Sequence, residues 1–157
     1  MEATNEDLEN IALVNTQAID HLTEEFYKCV SFDLEHFPNI DRLQELFFGS
    51  ARLIDNRFDQ PADLTPHSFS QSLMQQISSG NVSYFAQQEI GDITEFFGTM
   101  AQRISVYEYS TRQNNTDPWK RGVNYIQYIF TGGKWLITSM IWTDEKAGLK
   151  IPDIYML

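Results

Sequence analysis

Five residues carry the chemistry this chain offers: Asp55, Arg103, Tyr107, Asn124 and Ser139. A carboxylate drawn out of water gains proton affinity and can serve as a general base, the role open to Asp55. Tyr107 and Asn124 carry donors suited to a carbonyl or enolate oxygen in a water-poor cavity. An arginine on an inward face needs an acidic partner or an anionic ligand, so Arg103 is the candidate for pairing an anion. Ser139 adds a hydroxyl on the face expected for Asn124. Each has a plainer reading beside this one. Tyr107 also reads as a core tyrosine with a satisfied hydroxyl, and Asn124 as an amide tying down a strand. Asp55 also reads as an exposed strand carboxylate, or as a partner for Arg103 or Arg57.

The other reactive groups are less informative. His21, His36 and His67 have no metal-ligand spacing among themselves or with Cys29, so no metal site is expected. His36, beside Phe37-Pro38, is the histidine placed to reach a cavity mouth. Cys29 falls on an apolar helix stripe, where a buried, inert thiol is expected. Glu108 and Arg121 flank one loop and read as an ion pair at a rim. There is no phosphate loop, Ser-His-Asp signature or dinucleotide fingerprint.

Residues 121–142, RGVNYIQYIFTGGKWLITSMIW, must position most of these groups. Two runs rich in Ile, Tyr, Phe and Trp flank Gly132-Gly133, and paired glycines suit the positive φ of a tight hairpin turn. With Phe130 opposite Trp135, strict alternation puts Asn124, Ile126, Tyr128, Ile137, Ser139 and Ile141 on their face. That face is nearly all apolar and suits the inside. The other face carries Val123, Tyr125, Gln127, Ile129, Leu136, Thr138, Met140 and Trp142, too apolar for a solvated surface. It is expected to pair with a second subunit. In the strand over 99–110 two registers stay open. One turns Ala101, Arg103, Ser105, Tyr107 and Tyr109 inward; the other makes Arg103 a surface charge.

Upstream, Thr4 and Asp7 read as a capping box for a long amphipathic helix from Asn5 to Phe32. Its stripe runs from Leu8 and Ile11 through Ile19, Leu22 and Phe26 to Val30. Asn15, mid-stripe, marks a break or a buried polar contact. A short helix over Asp41–Phe47 ends at Gly49, and Ala51–Phe58 reads as a strand followed by a polar loop. Thr65-Pro66 starts a third helix that Gly80 closes. Strands follow over 85–96 and 99–110 with a turn at Phe97-Gly98, then a loop over 112–120. Pro152 is expected to end regular structure. This is a single α+β domain over 1–157, helices on one face of a mostly antiparallel curved sheet that leaves a conical cavity.

The formal net charge of −11 disfavours nucleic acid and anionic membrane as partners, because both need a positive patch. The acidic start, MEATNEDLEN, is unlike a signal peptide, and no run approaches a membrane span. A single cysteine suits a reducing cytoplasm.

The stretches FGTMAQRISVYEY (97–109), RG at 121–122 and GGKWLITSMIW (132–142), set in the order α-α-β-α-β-β-β-β, resemble the nuclear transport factor 2-like superfamily. Within it they are similar to a SnoaL-like bacterial branch. The resemblance implies a cystatin-like cone over nearly the whole chain and a homodimer through the sheet. It favours the register with Arg103 inside. Known enzymes of the superfamily include isomerases, dehydratases and cyclases that act with Asp, His or Tyr, usually without metal, so no cofactor is expected. The two-histidine set of scytalone dehydratase has no counterpart in the sheet. The expected ligand is a small, apolar or weakly anionic molecule. The alternative is a non-catalytic dimeric module that binds a protein, or a subunit supporting another chain. A cone plugged by Phe26, Tyr128 and Trp135 favours the alternative; an open one with a converging Asp and Tyr favours an enzyme.

Overall fold

A computed structural model describes residues 2–113 and 117–157. The central part of the expected 112–120 loop, residues 114–116, lies outside the described residues. Among the described residues six strands form one sheet, and three α-helices cover one of its faces. The strands are β1 (Phe47–Asp55), β2 (Ala62–Leu64), β3 (Ala86–Phe97), β4 (Met100–Ser110), β5 (Lys120–Thr131) and β6 (Lys134–Asp144). Their order is β2-β1-β6-β5-β4-β3, antiparallel throughout except for the parallel pair β1 and β6. This is an α+β cone.

Helix α1 (Asn5–Val30) opens with the expected capping box, Thr4 and Asp7 exchanging side-chain and backbone hydrogen bonds of 3.1 Å. It runs unbroken through Asn15, whose amide oxygen accepts from the Trp135 indole at 3.2 Å, so the polar contact and not the break is observed. Its apolar stripe is buried only from Ile19 onward; Leu8 and Ile11, expected on the core face, are exposed. The cause is length: a 26-residue helix rises about 39 Å, more than its packing partners β3, β6 and α2 cover. Helix α2 (Ile40–Glu45) is capped by Asn39 and stops sooner than expected, because Phe47 already pairs with Ile137 in the sheet. Gly49 therefore lies inside a strand and ends no helix. Helix α3 (Pro66–Ser78) starts as read, with a capping box between Thr65 and Ser68.

Two elements depart from expectation near the ends of this frame. β2 arises in the stretch read as a polar loop and pairs with the end of β1. After Pro152 the tail forms a short 3-10 helix (Asp153–Met156) packed against β3 and β4. A methyl group at Gly91 would meet the Tyr155 carbonyl oxygen at 2.8 Å, so the missing side chain is what lets the tail lie down.

The hairpin turn is as read. Gly132 and Gly133 take φ of +60° and +80°, and Phe130 stands opposite Trp135. Strict alternation, however, fails in β6. Tyr128 pairs with Ile137 but Gln127 pairs with Ser139, which leaves Thr138 as an extra residue. This bulge swaps the faces of everything after it. Met140 is buried and Trp142 and Asp144 turn inward, while Ile141 is exposed and Ser139 bonds Gln127 at 3.1 Å on the outer face. The inward placement expected for Ser139 and Ile141 is thus corrected. In β4 the register with Ala101, Arg103, Ser105, Tyr107 and Tyr109 inside is the one observed, all five being buried.

Candidate functional site

The narrow end of the cone is filled. Tyr128, buried between α1 and the sheet, shares a 2.7 Å hydrogen bond with Thr23, and Trp135 packs beside Phe96. Arg103 lies in this closed part. Its Nη1 donates to Asp20 Oδ1 at 2.8 Å, its Nε to Glu89 Oε2 at 3.1 Å, and its Nη2 meets Glu89 again and Asp92 at 3.3 Å. Ser105 also donates to Glu89 at 2.5 Å and shares a 2.7 Å bond with Tyr27. Asp20, Glu89 and Asp92 surround the guanidinium and balance its charge within the closed part of the cone. Of the two partners open to an inward arginine, an acidic side chain or an anionic ligand, the structure shows the acidic side chains: Arg103 is an internal charge, held protonated by its acidic partners against the opposing effect of burial.

The wide end is open and holds a cavity of about 310 Å³. Its walls are rich in rings. Phe26 and Phe69 come from the helices, Phe85 precedes β3, and Trp142 meets Phe69 edge-on with centroids 6.2 Å apart. The central polar lining converges from four strands. Tyr107 and Tyr109 stand on β4, Asn124 on β5, Asp144 at the end of β6 and Asp55 at the end of β1, with Arg57 just after it. The parallel β1–β6 pairing and the β6 bulge together bring these strand ends to one place.

Asp144 is the hub. The Tyr107 hydroxyl donates to its Oδ1 at 2.7 Å and the Tyr109 hydroxyl to its Oδ2 at 2.5 Å. Burial, reinforced by the neighbouring carboxylate, pushes Tyr109 up to about 12 and Tyr107 further in the same direction. Both phenols are therefore neutral donors at physiological pH. Tyr107 can reach Asp144 because Gly122 stands between them in the sheet: Tyr107 pairs with Gly122 and Gly122 with Asp144. A Cβ on Gly122 would lie 2.1 Å from the Tyr107 hydroxyl oxygen.

Asp55 also lines the cavity, but its carboxylate is engaged. Arg57 donates to it through Nε at 2.9 Å and Nη2 at 2.8 Å, and its backbone amide at 3.1 Å. Asn124 is buried; its Nδ2 contacts Met140 Sδ at 3.7 Å and its Oδ1, sealed from solvent, has no hydrogen-bond partner among the described residues. The structure thus brings Asp55, Tyr107 and Asn124 together, excludes Ser139, and leaves Arg103 in the plug. No histidine lines the cavity; His36, expected near the mouth, is exposed and bonded to Asp33 at 3.0 Å. Glu108 stands opposite Arg121 as expected but accepts from Gln88 at 2.6 Å. Cys29 is buried, and burial raises its thiol pKa.

Sequence reasoning missed Asp144. Tyr109 was legible as sharing the Tyr107 face, and Arg57 as a partner of Asp55, but nothing in the pattern marks the bulge that turns Asp144 inward.

No protein-family model matches the chain, and no curated protein matches it in sequence. Solved structures match it in fold. A nuclear transport factor 2-like protein with a cystatin-like fold from Novosphingobium aromaticivorans aligns over 94% of each chain with a TM-score of 0.70 at 13% identity. A nuclear transport factor 2-like protein of unknown function from Pseudomonas putida KT2440 aligns with a TM-score of 0.67 at 10% identity, over 89% of this chain and 94% of that one. A protein described as "Putative Scytalone Dehydratase", also from Novosphingobium aromaticivorans, aligns with a TM-score of 0.62 at 18% identity, over 88% and 89%. The chain has the nuclear transport factor 2-like, cystatin-like fold.

Proposed function

We propose that the cone binds a compact, largely apolar molecule and moves a proton at its polar end, as isomerases, dehydratases and cyclases do. One observation carries this reading: an aromatic cavity whose polar end is a carboxylate, Asp144, receiving two tyrosine hydroxyls. The carboxylate is the proton acceptor. A tyrosine hydroxyl that turns from Asp144 to the substrate supplies a hydrogen bond to oxygen that gains charge. Tyr107 keeps the donor role first given to it. Asp55, bound by Arg57, fixes the guanidinium at the rim of the same cavity. The likeness to the protein described as "Putative Scytalone Dehydratase" is one of fold alone.

The test is an NMR screen with small aromatic alcohols, ketones, amines and acids, read at the Trp142 indole. Leu73→Trp, which fills the cavity from α3, is the control. Compounds that shift Trp142 in the natural chain and not in the variant support the reading. A screen in which nothing shifts Trp142 overturns it.

A second reading concerns the other face of the sheet, which is uncharged along β5 and β6 from Val123 to Ile129 and from Leu136 to Ile141. We propose that it joins a second copy of the chain. This pairing is compatible with an open cone, because the two features lie on opposite faces.

A further inference from the structure

Charge accounting inside the cavity names a ligand class, and the inference rests on the cavity-binding reading above. The ionisable lining residues are Asp55, Arg57 and Asp144, besides the two neutral tyrosines. Arg57 and Asp55 neutralise each other in a bidentate pair of 2.8 and 2.9 Å. Asp144 is left with neutral donors alone, the hydroxyls of Tyr107 and Tyr109. Each carboxylate oxygen accepts one hydrogen bond there and keeps further lone pairs for a ligand. An organic acid entering this space would meet two carboxylates and one arginine already engaged. An organic cation would meet a carboxylate that is in no ion pair among the described residues, with Arg57 acting on it only from a distance.

The walls point the same way. Seven aromatic residues line the cavity, four of them Phe26, Phe69, Phe85 and Trp142, and ring faces attract cations through their quadrupole. The chain's net charge of −11 draws cations toward it from a distance. We infer that the cavity takes a small organic cation, a protonated amine on a compact apolar body, with the ammonium on Asp144 and the body among the rings. Arg57 keeps further N–H groups, but Asp55 already balances its charge, so an acid gains less there than an amine gains at Asp144.

The test is a titration at neutral pH with three probes of similar shape: phenethylamine, phenethyl alcohol and phenylacetate. Each is added to the natural chain and to Asp144→Asn, and binding is read at the Trp142 indole together with the Phe69 ring, because Trp142 also borders a second groove beside Glu145 and Tyr155. The amine is expected to bind about tenfold more tightly than the alcohol, with phenylacetate weakest. Asp144→Asn is expected to bring amine and alcohol within about threefold of each other. The ranking in the natural chain decides the ligand class without the variant. If the alcohol equals the amine, or phenylacetate exceeds both, the cation assignment fails while the cavity reading stands. If the amine preference survives Asp144→Asn, the placement on Asp144 fails. If no probe shifts both Trp142 and Phe69, the cation inference and the cavity reading fall together.

Discussion

Gly122 lies directly across the sheet from Tyr107, and the missing methyl makes room for the phenol. Alanine there would put Cβ 2.3 Å from Tyr107 Cζ and 2.6 Å from the Thr143 carbonyl oxygen, backbone that cannot swing away. Overpacking of this kind costs about 1–3 kcal/mol, so Gly122→Ala is expected to lower stability by that amount in chemical denaturation and to displace Tyr107 from Asp144. A loss under about 0.5 kcal/mol would mean that the phenol is not held where it is seen. The same cluster sets an alkaline titration. A phenol's ordinary value is about 10, and Tyr109 stands near 12 through burial first and the Asp144 carboxylate second. Because the folded value exceeds the unfolded one, the stability this phenol contributes is fully present below pH about 10 and lost as pH rises through about 12. Asp144→Asn removes the charge and keeps the burial, so the Tyr109 value is expected to fall part of the way toward 10 in tyrosine-selective carbon NMR. An unmoved titration would separate Tyr109 from Asp144.

The elements show where reading by pattern works and where it stops. Caps are local, so Thr4 with Asp7 and Thr65 with Pro66 located two helix starts from sequence alone. The glycine pair located the turn, and the turn fixed Phe130 against Trp135. A bulge is not local in this sense. Thr138 is an ordinary strand residue, and its insertion is decided by what must be buried around it: Met140, 1% exposed, and the inward Trp142. Hence Ser139 was misplaced and Asp144 went unseen. Deleting Thr138 removes the extra residue and leaves Ser139 opposite Gln127 and Met140 opposite Ile126, so an unbulged strand keeps Met140 in the core, and the deletion is expected to cost less than truncating a buried methionine, about 2–5 kcal/mol. A circular dichroism melt showing a loss as large as that truncation would mean that Thr138 is not the extra residue of the strand. Packing between α1 and α2 gives a smaller, pH-dependent term. Arg42 binds Glu25 in two hydrogen bonds of 3.2 and 2.6 Å and holds its carboxylate below the ordinary 4.5. The folded value is the lower one, so this contribution is present above pH about 4.5 and disappears as the pH falls through the folded value. Glu25→Gln is expected to cost about 0.5–1 kcal/mol at pH 7, the pair being partly exposed, and nothing at the acid end. A cost independent of pH would assign it to packing and not to the ion pair.

At the scale of the whole molecule, charge and shape bear on association together. A chain of net charge −11 repels its own copy everywhere except where its surface is neutral. The outer face of β5 and β6 is such a place, with Tyr125 half exposed at 50% and Ile141 at 41%, set among Gln127, Ile129, Leu136, Thr138 and Ser139. The tail's 3-10 helix borders this face, its Tyr155 hydroxyl 3.1 Å from that of Tyr125, and so frames the patch and leaves its centre uncovered. A two-fold axis through a neutral patch places like on like without charge repulsion, whereas an oppositely charged partner would find nothing there to grip. A stable dimer needs about 800 Å² from each copy, a demand that a face of several strands can meet. The natural chain is therefore expected to sediment as a dimer at micromolar concentration. Ile141→Lys, which buries a charge against its own symmetry mate, is expected to sediment as a monomer with unchanged circular dichroism. A natural chain that sediments as a monomer would leave the apolar outer face without this explanation. A variant that stays dimeric would move the contact elsewhere on the surface.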